Sequence, residues 1–290
     1  MTSSPTSLAG VVGCGLMGSG IAEVLARAGR QVVVHEVDAE AAQRGRARIE
    51  ASLGRAVRSG KLAEQERDKV LGRIAVGSDL EALADAEIVV EAASEDEAVK
   101  TELFSRLDGL LVRDDAVLAS NTSSIPIMKL GTATRRPEQV VGMHFFNPVP
   151  VLPLVEVVPS LLTSGETVAR VQQLAEEELH KTVIRSQDRA GFIVNALLVP
   201  YLLSGIRMLE SGYASAHDID AGMVRGCAHP MGPLQLSDLI GLDTVKAIAE
   251  SLYDEFKEPL FSPPPMLLRM VQAGLLGRKS GRGFYEYART

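Results

Sequence analysis

The chain has 290 residues, enough for one large domain or two ordinary ones. It carries 37 acidic against 30 basic residues, a formal net charge of −7, and so lacks the broad basic face that nucleic-acid phosphates require. Its two cysteines, Cys14 and Cys227, lie far apart and outside any CxxC or zinc spacing, which argues against a disulfide framework or a metal site and suits a reducing, cytoplasmic setting.

Residues 1–7 are polar and hold no apolar signal core. Residues 8–12 form a short apolar run, read as a strand, that ends at Gly13. A helical pattern over 17–28 follows, then a second strand over 31–35. Asp38 is placed to cap a long helix over 39–59, and 62–71 continues it as a second arm after Gly60, giving a helical hairpin. Strands are expected at 74–76, 88–90, 117–119 and 140–144, with a helix over 97–110 among them. Two more follow at 154–158 and 182–184, flanking a helix over 166–180. This alternation predicts a doubly wound, mostly parallel sheet.

Beyond residue 188 strand signals fade. Helical periodicity covers 192–213, 219–224, 234–253 and 266–273, and Ser262-Pro263-Pro264-Pro265 is a stiff connector. The expected division is an α/β domain over 1–187 and an all-helical domain over 188–290. The most apolar stretch, 190–206, is interrupted by Asn195, Pro200 and Ser204 and is short for a membrane span, so it reads as a buried helix.

Between the first strand and its helix, Gly13, Gly15 and Gly18 fit G-x-G-x-x-G, enclosing Cys14, Leu16 and Met17. The first glycine permits a tight turn, the second lets backbone approach a pyrophosphate, and the third lets helix pack on strand. The second strand ends on Glu36, where an acid is expected to accept hydrogen bonds from an adenosine ribose. Its charge repels a 2′-phosphate, so NAD is expected over NADP. Asp38 lies past the strand end and suits a cap better. Cys14 reads as a small spacer.

Four further segments complete a pattern: Ser120-Asn121-Thr122-Ser123-Ser124, Gly142-Met143-His144-Phe145-Phe146-Asn147-Pro148-Val149, Leu154-Val155-Glu156-Val157 and Gly191-Phe192-Ile193-Val194-Asn195. With the glycine turn, and with His229-Pro230-Met231-Gly232-Pro233-Leu234 and the 277–285 segment, they resemble the 3-hydroxyacyl-CoA dehydrogenase family, especially its short 3-hydroxybutyryl-CoA branch. The resemblance covers essentially the whole chain. It implies a Rossmann-type NAD-binding domain followed by an all-α domain serving substrate and homodimer, with the active site in the cleft between them.

Oxidising a secondary alcohol removes a hydride from carbon and a proton from oxygen, and the proton needs a base titrating near neutrality. Of five histidines, His144 ends a strand, where ligands bind in such sheets. Glu156 interrupts an apolar run, and a buried carboxylate needs a partner. From the residues alone, the alternative is an unrelated loop histidine and core-strand acid. The resemblance makes them the catalytic pair, adds Ser123 and Asn195 as substrate contacts, and places Glu91, Lys100 and Asn121 near the cofactor. The competing readings are a turn and helix cap for 121–124, a core amide for Asn195, a strand-end acid for Glu91 and an exposed lysine for Lys100. The other histidines read as structural or surface residues, with His35 near the adenosine end.

Between residues 44 and 61, Arg44, Arg46, Arg48, Arg55, Arg58 and Lys61 face one acid, Glu50. This is either a solvated helix face or a clamp for carrier phosphates. The resemblance puts the CoA site here, with Ser52 the best-matched contact. Where the family often has lysine, this chain has Ser59, flanked by Arg58 and Lys61. A basic arm suits CoA and also an acidic acyl carrier protein, so a carrier-bound hydroxyacyl group or a free hydroxy acid stays open as substrate. So does a non-catalytic NAD-binding role on the same fold.

Overall fold

The computed structural model describes residues 7–288; residues 1–6 of the polar N-terminal stretch lie outside them. The chain divides into two compact units, one ending at Arg189 and the other beginning at Ala190.

The first unit is built on one eight-stranded sheet ordered β3-β2-β1-β4-β5-β6-β7-β8. The strands are β1 (Leu8–Val12), β2 (Gln31–His35), β3 (Ile74–Gly77), β4 (Ile88–Glu91), β5 (Val117–Ser120), β6 (Val140–Phe145), β7 (Leu154–Pro159) and β8 (Thr182–Arg185). All neighbours from β3 to β6 are parallel. Strand order reverses beside β1, and the crevice beyond the carboxyl ends at such a reversal is where ligands bind in open α/β sheets. β4, β5 and β6 are buried along their whole length, which is why they read as apolar runs without alternation. β7 runs antiparallel to β6, and β8 is parallel to β7.

The helices of this unit are α1 (Leu16–Arg27), α2 (Ala39–Arg58), α3 (Glu64–Gly72), α4 (Glu97–Leu110), α5 (Ile127–Thr132) and α6 (Gly165–Gln173). Asp38 caps α2 as expected, its carboxylate accepting from Ala41 N at 2.7 Å. α2 buries Ala41, Ala42, Gly45, Ile49 and Leu53, a stripe along one side of the helix, so only a narrow face is covered and its charged faces stay wet. Gly60, at φ +70°, turns the chain from α2 into α3. α5 has no counterpart in the sequence reading. It is short, and its first N–H groups are satisfied from a distance, Ile127 N and Met128 N donating to the Asp188 carboxylate at 2.7 and 2.8 Å.

The second unit contains α7 (Val194–Glu210), α8 (Ala216–Gly226), α9 (Pro233–Ile240), α10 (Leu242–Phe256) and α11 (Pro265–Gln272), packed around Leu202, Leu203, Ile206, Leu234, Leu252 and Leu267. The single helix expected over 234–253 is two helices, because Gly241 at φ +102° ends α9 and starts α10. The apolar periodicity continues through the break and conceals it. The two tail motifs meet at a pair of buried acids. Asp220 accepts from Leu234 N, Gln235 N and the Tyr285 hydroxyl, while Asp238 accepts from Phe284 N, Tyr285 N and the Tyr287 hydroxyl. Burial and Asp238 push the Tyr287 hydroxyl up to about 12. Among the described residues no helix is long and apolar enough to cross a membrane.

Candidate active site and cofactor groove

The three glycines of the first turn do three different jobs. Gly13 has φ +88°, and a Cβ there would lie 2.6 Å from the Ala92 carbonyl oxygen. A Cβ on Gly18 would lie 1.9 Å from the Gly13 carbonyl oxygen, so α1 can begin only on a bare backbone. A Cβ on Gly15 would meet nothing within 4 Å, since that position opens into the groove. Gly15 is the N-cap of α1 and has no side-chain oxygen to bond the first helical N–H groups, which makes this end an anion acceptor.

The groove measures about 1050 Å³ and is lined by Gly13, Gly15, Leu16, Met17, Glu36 and Ala93, among others. At its edge the Glu36 carboxylate accepts from Cys14 N at 2.5 Å and Val37 N at 3.2 Å. A carboxylate held this way keeps lone pairs for further donors while tying β2 to the turn. His35 also lines the groove, and burial followed by the nearby Arg106 keeps its ring below the usual imidazole range. A long groove with an uncapped helix start, an open glycine and an acid at the second strand fits a dinucleotide. Burial, reinforced by Glu36, pushes the Cys14 thiol up to about 11, and a Cβ on Gly45 would lie 2.5 Å from its Cβ. Cys14 is thus a packing spacer between the turn and α2, with an unreactive thiol.

Beneath the groove lies a buried ionic network. Glu91 is fully enclosed and accepts from Ala93 N at 2.7 Å, Lys100 Nζ at 2.5 Å and Ser120 Oγ at 2.6 Å. Lys100 is not an exposed lysine. It is buried, and its ammonium also lies 3.3 Å from Glu95. Glu95 in turn accepts from the Thr122 hydroxyl, Ser123 N and the Ser124 hydroxyl, fixing the turn after β5. Burial raises the Glu95 carboxyl, but Lys100 and these donors outweigh it and hold the group below its ordinary value.

The antiparallel pairing of β6 with β7 sets His144 directly opposite Glu156. Both are buried, and His144 Nδ1 lies 2.7 Å from Glu156 Oε2. The other ring nitrogen, Nε2, lies 3.1 Å from Ser123 Oγ. With the carboxylate accepting from Nδ1–H, the neutral ring presents Nε2 as an acceptor toward Ser123, a tautomer assigned from these partners. Asn121 Oδ1 accepts from Phe145 N at 2.9 Å, tying the Ser123 turn to β6, and the Phe146 ring meets the imidazole edge-on at 4.7 Å. Glu156, His144 and Ser123 therefore form one hydrogen-bonded line at the carboxyl end of the sheet. Asn195 belongs to the second unit, where it is buried in the first turn of α7.

Along α2 and the turn that follows it the basic residues separate into two sets. Arg44 pairs with Glu40 and Arg46 with Glu50, while Arg48 donates to the Cys14 carbonyl at 3.2 Å. Arg55, Arg58 and Lys61 have no ion-pair partner among the described residues. Arg58 and Lys61 are exposed, and Ser52 is half-buried.

Residues 8–189 match the model of the 3-hydroxyacyl-CoA dehydrogenase NAD-binding domain, and residues 191–287 that of the family's C-terminal domain. The chain belongs to the 3-hydroxyacyl-CoA dehydrogenase family. It is an NAD-dependent oxidoreductase, as the glycine turn and Glu36 led one to expect. It is 59% identical over 278 residues to a 3-hydroxybutyryl-CoA dehydrogenase of Mycobacterium tuberculosis, covering 96% of this chain and 97% of the relative. The crystal structure of M. tuberculosis FadB2 matches with a TM-score of 0.97 at 58% identity, over 98% of this chain and all of that one (100%). That of the (S)-3-hydroxybutyryl-CoA dehydrogenase PaaH1 from Ralstonia eutropha matches with a TM-score of 0.91 at 42% identity, covering 98% and 100%.

Sequence reasoning passed over several residues of this 3-hydroxyacyl-CoA dehydrogenase. Glu95 anchors the Ser123 turn, Ser120 and Thr122 join its network, and Phe146 walls the imidazole. The spacing from Lys100 back to Glu91 and Glu95 carried a signal, because a lysine this close to a strand-end acid can turn inward. The resemblance places Lys100 near the cofactor, with an exposed helix lysine as the competing reading, and neither foresees its burial against Glu91.

Proposed function

We propose that this enzyme interconverts short-chain (S)-3-hydroxyacyl-CoA and 3-oxoacyl-CoA, with 3-hydroxybutyryl-CoA and acetoacetyl-CoA as the principal pair. The names of the M. tuberculosis and R. eutropha relatives support that choice of substrate. The observation that carries the reading is the hydrogen-bonded line Glu156–His144–Ser123.

His144 Nε2 takes the proton of the substrate's C3 hydroxyl as general base. In the reverse direction protonated His144 returns it to the ketone oxygen. Glu156 holds the ring in the required tautomer and stabilises its charged form, as a buried carboxylate does in a triad. When substrate binds, Ser123 Oγ turns its hydrogen from His144 Nε2 to the C3 oxygen, which leaves Nε2 free to take the substrate proton, and Asn195 contacts the thioester side. NAD, when bound, supplies the hydride acceptor. Gly13, Gly15, Leu16, Met17 and Gly18 hold its pyrophosphate end, Glu36 its adenosine ribose, and Asn121 its nicotinamide side. Glu91 and Lys100 support the same groove from beneath. Ser52 and Arg58, with Arg55 and Lys61 beside them, receive the carrier's phosphates.

The unpaired cations of the α2 arm favour CoA, whose adenosine end carries several phosphates, and equally an acidic acyl carrier protein as second carrier. A homodimer formed through the helical unit agrees with the exposed Leu197 and Tyr213 there. Two free cysteines suit a cytoplasmic setting. Purified protein assayed with NADH and acetoacetyl-CoA, against the same acyl group on a carrier protein and against free acetoacetate, tests the substrate. Turnover of the CoA ester supports the proposal, and turnover of the carrier-bound or free acid alone rejects it.

A further inference from the structure

The loop joining the two strands of the His144–Glu156 pair is held by a buried lysine. The 146–153 segment connects β6 to β7, so its conformation sets how the strands meet. Lys181, just before β8, donates through Nζ to the Val149 and Leu152 carbonyls, both at 2.6 Å. The next residue, Thr182, donates its N–H to the Pro153 carbonyl at 2.6 Å. On the other side the loop rests on α1. A Cβ on Gly20 would lie 2.8 Å from Val149 Cβ, so the contact is closed to anything larger than hydrogen.

Lys181 is only 8% exposed and has no ion-pair partner among the described residues. Burial, with Arg27 nearby, lowers its ammonium from the ordinary lysine value. Enclosing a cation whose partners are backbone carbonyls is costly, and a methionine of similar length would fill the space more cheaply. What the ammonium supplies and methionine cannot is a pair of strong donors converging on one loop.

We propose that Lys181 is a positioning residue for the reaction: by clamping the Val149 and Leu152 carbonyls it fixes the 146–153 loop and so the alignment of His144 with Glu156. This rests on the catalytic roles proposed for those two residues. Lys181 acts through them and touches neither substrate nor cofactor.

A double-mutant cycle tests it. Lys181→Met is expected to lower kcat for acetoacetyl-CoA reduction about tenfold or more, with KM for NADH within roughly twofold of the parent. In a Glu156→Gln background, where the alignment no longer matters, the same substitution should cost less than about threefold. Lys181→Gln keeps two N–H donors on a shorter stem and should fall between Lys181→Met and the parent. It carries the test if Lys181→Met does not accumulate as folded protein. Losses that multiply independently, or a folded Lys181 variant with parental kcat, overturn the proposal. If Glu156→Gln alone leaves kcat unchanged, the underlying assignment of the pair has failed instead.

Discussion

Glu156 and His144, twelve residues apart in sequence, face each other across an antiparallel strand pair with 2.7 Å between Oε2 and Nδ1, Glu156 fully enclosed and His144 buried. A carboxylate so enclosed costs free energy unless it is paired, and His144 is its partner. Glu156→Gln keeps the shape and removes the anion that stabilises the imidazolium. Its kcat for acetoacetyl-CoA reduction should fall on the order of 10²-fold or more, with the Kd for NADH near that of the parent. Steady-state kinetics beside fluorescence titration of NADH checks both halves.

The glycine turn yields a contrast between neighbours. Gly18→Ala forces a methyl against the Gly13 carbonyl, which is backbone and cannot step aside, so a loss of about 2 kcal/mol or more in unfolding free energy is expected. Gly15→Ala meets no protein atom and should leave Tm within a few degrees of the parent. Its methyl would project into the groove proposed to hold the pyrophosphate, so NADH affinity should drop about tenfold or more. Thermal melts with and without NADH separate the two variants.

Glu36 is the residue proposed to discriminate between the two nicotinamide dinucleotides through its charge. Its carboxylate is fixed at the groove edge by Cys14 N and Val37 N. Glu36→Ser should weaken NADH and relieve the repulsion of a 2′-phosphate, shifting the NADPH to NADH ratio of kcat/KM upward by about tenfold or more. An unchanged ratio would remove Glu36 from cofactor selection.

Glu95 makes the fixed Ser123 turn sensitive to acid. Its carboxyl is held below the ordinary value of 4.5, so the folded state binds its proton less readily than the unfolded chain. The stability it contributes is therefore complete above that value and is lost as pH falls through the lower folded-state value. Urea unfolding of the parent and of Glu95→Gln from neutrality down through the carboxylate range should show the difference between them narrowing as pH drops.

The strands and the first turn were legible because their determinants are local. Residues 8–12 and 31–35 are apolar runs closed by Gly13 and Glu36, and observed β1 and β2 occupy those residues. His144 and Glu156 stood out because each conflicts with its surroundings, a titratable group at the end of or within an apolar strand. Other features depend on contacts that no window contains. The break at Gly241 hides in continuous periodicity, α5 is anchored by Asp188 some 61 residues away from Ile127, and Lys100 is drawn inward by Glu91. Arg44 likewise pairs with Glu40, an acid that precedes the basic stretch of 44–61.

The most direct test compares the parent enzyme with His144→Ala, following loss of NADH absorbance on addition of acetoacetyl-CoA. The parent should oxidise NADH in step with formation of (S)-3-hydroxybutyryl-CoA, and His144→Ala should turn over roughly 10²–10⁴-fold more slowly while still binding NADH. No NADH loss by the parent, or equal turnover by the variant, would contradict the assignment of His144 as the proton-transfer residue of a 3-hydroxyacyl-CoA dehydrogenase.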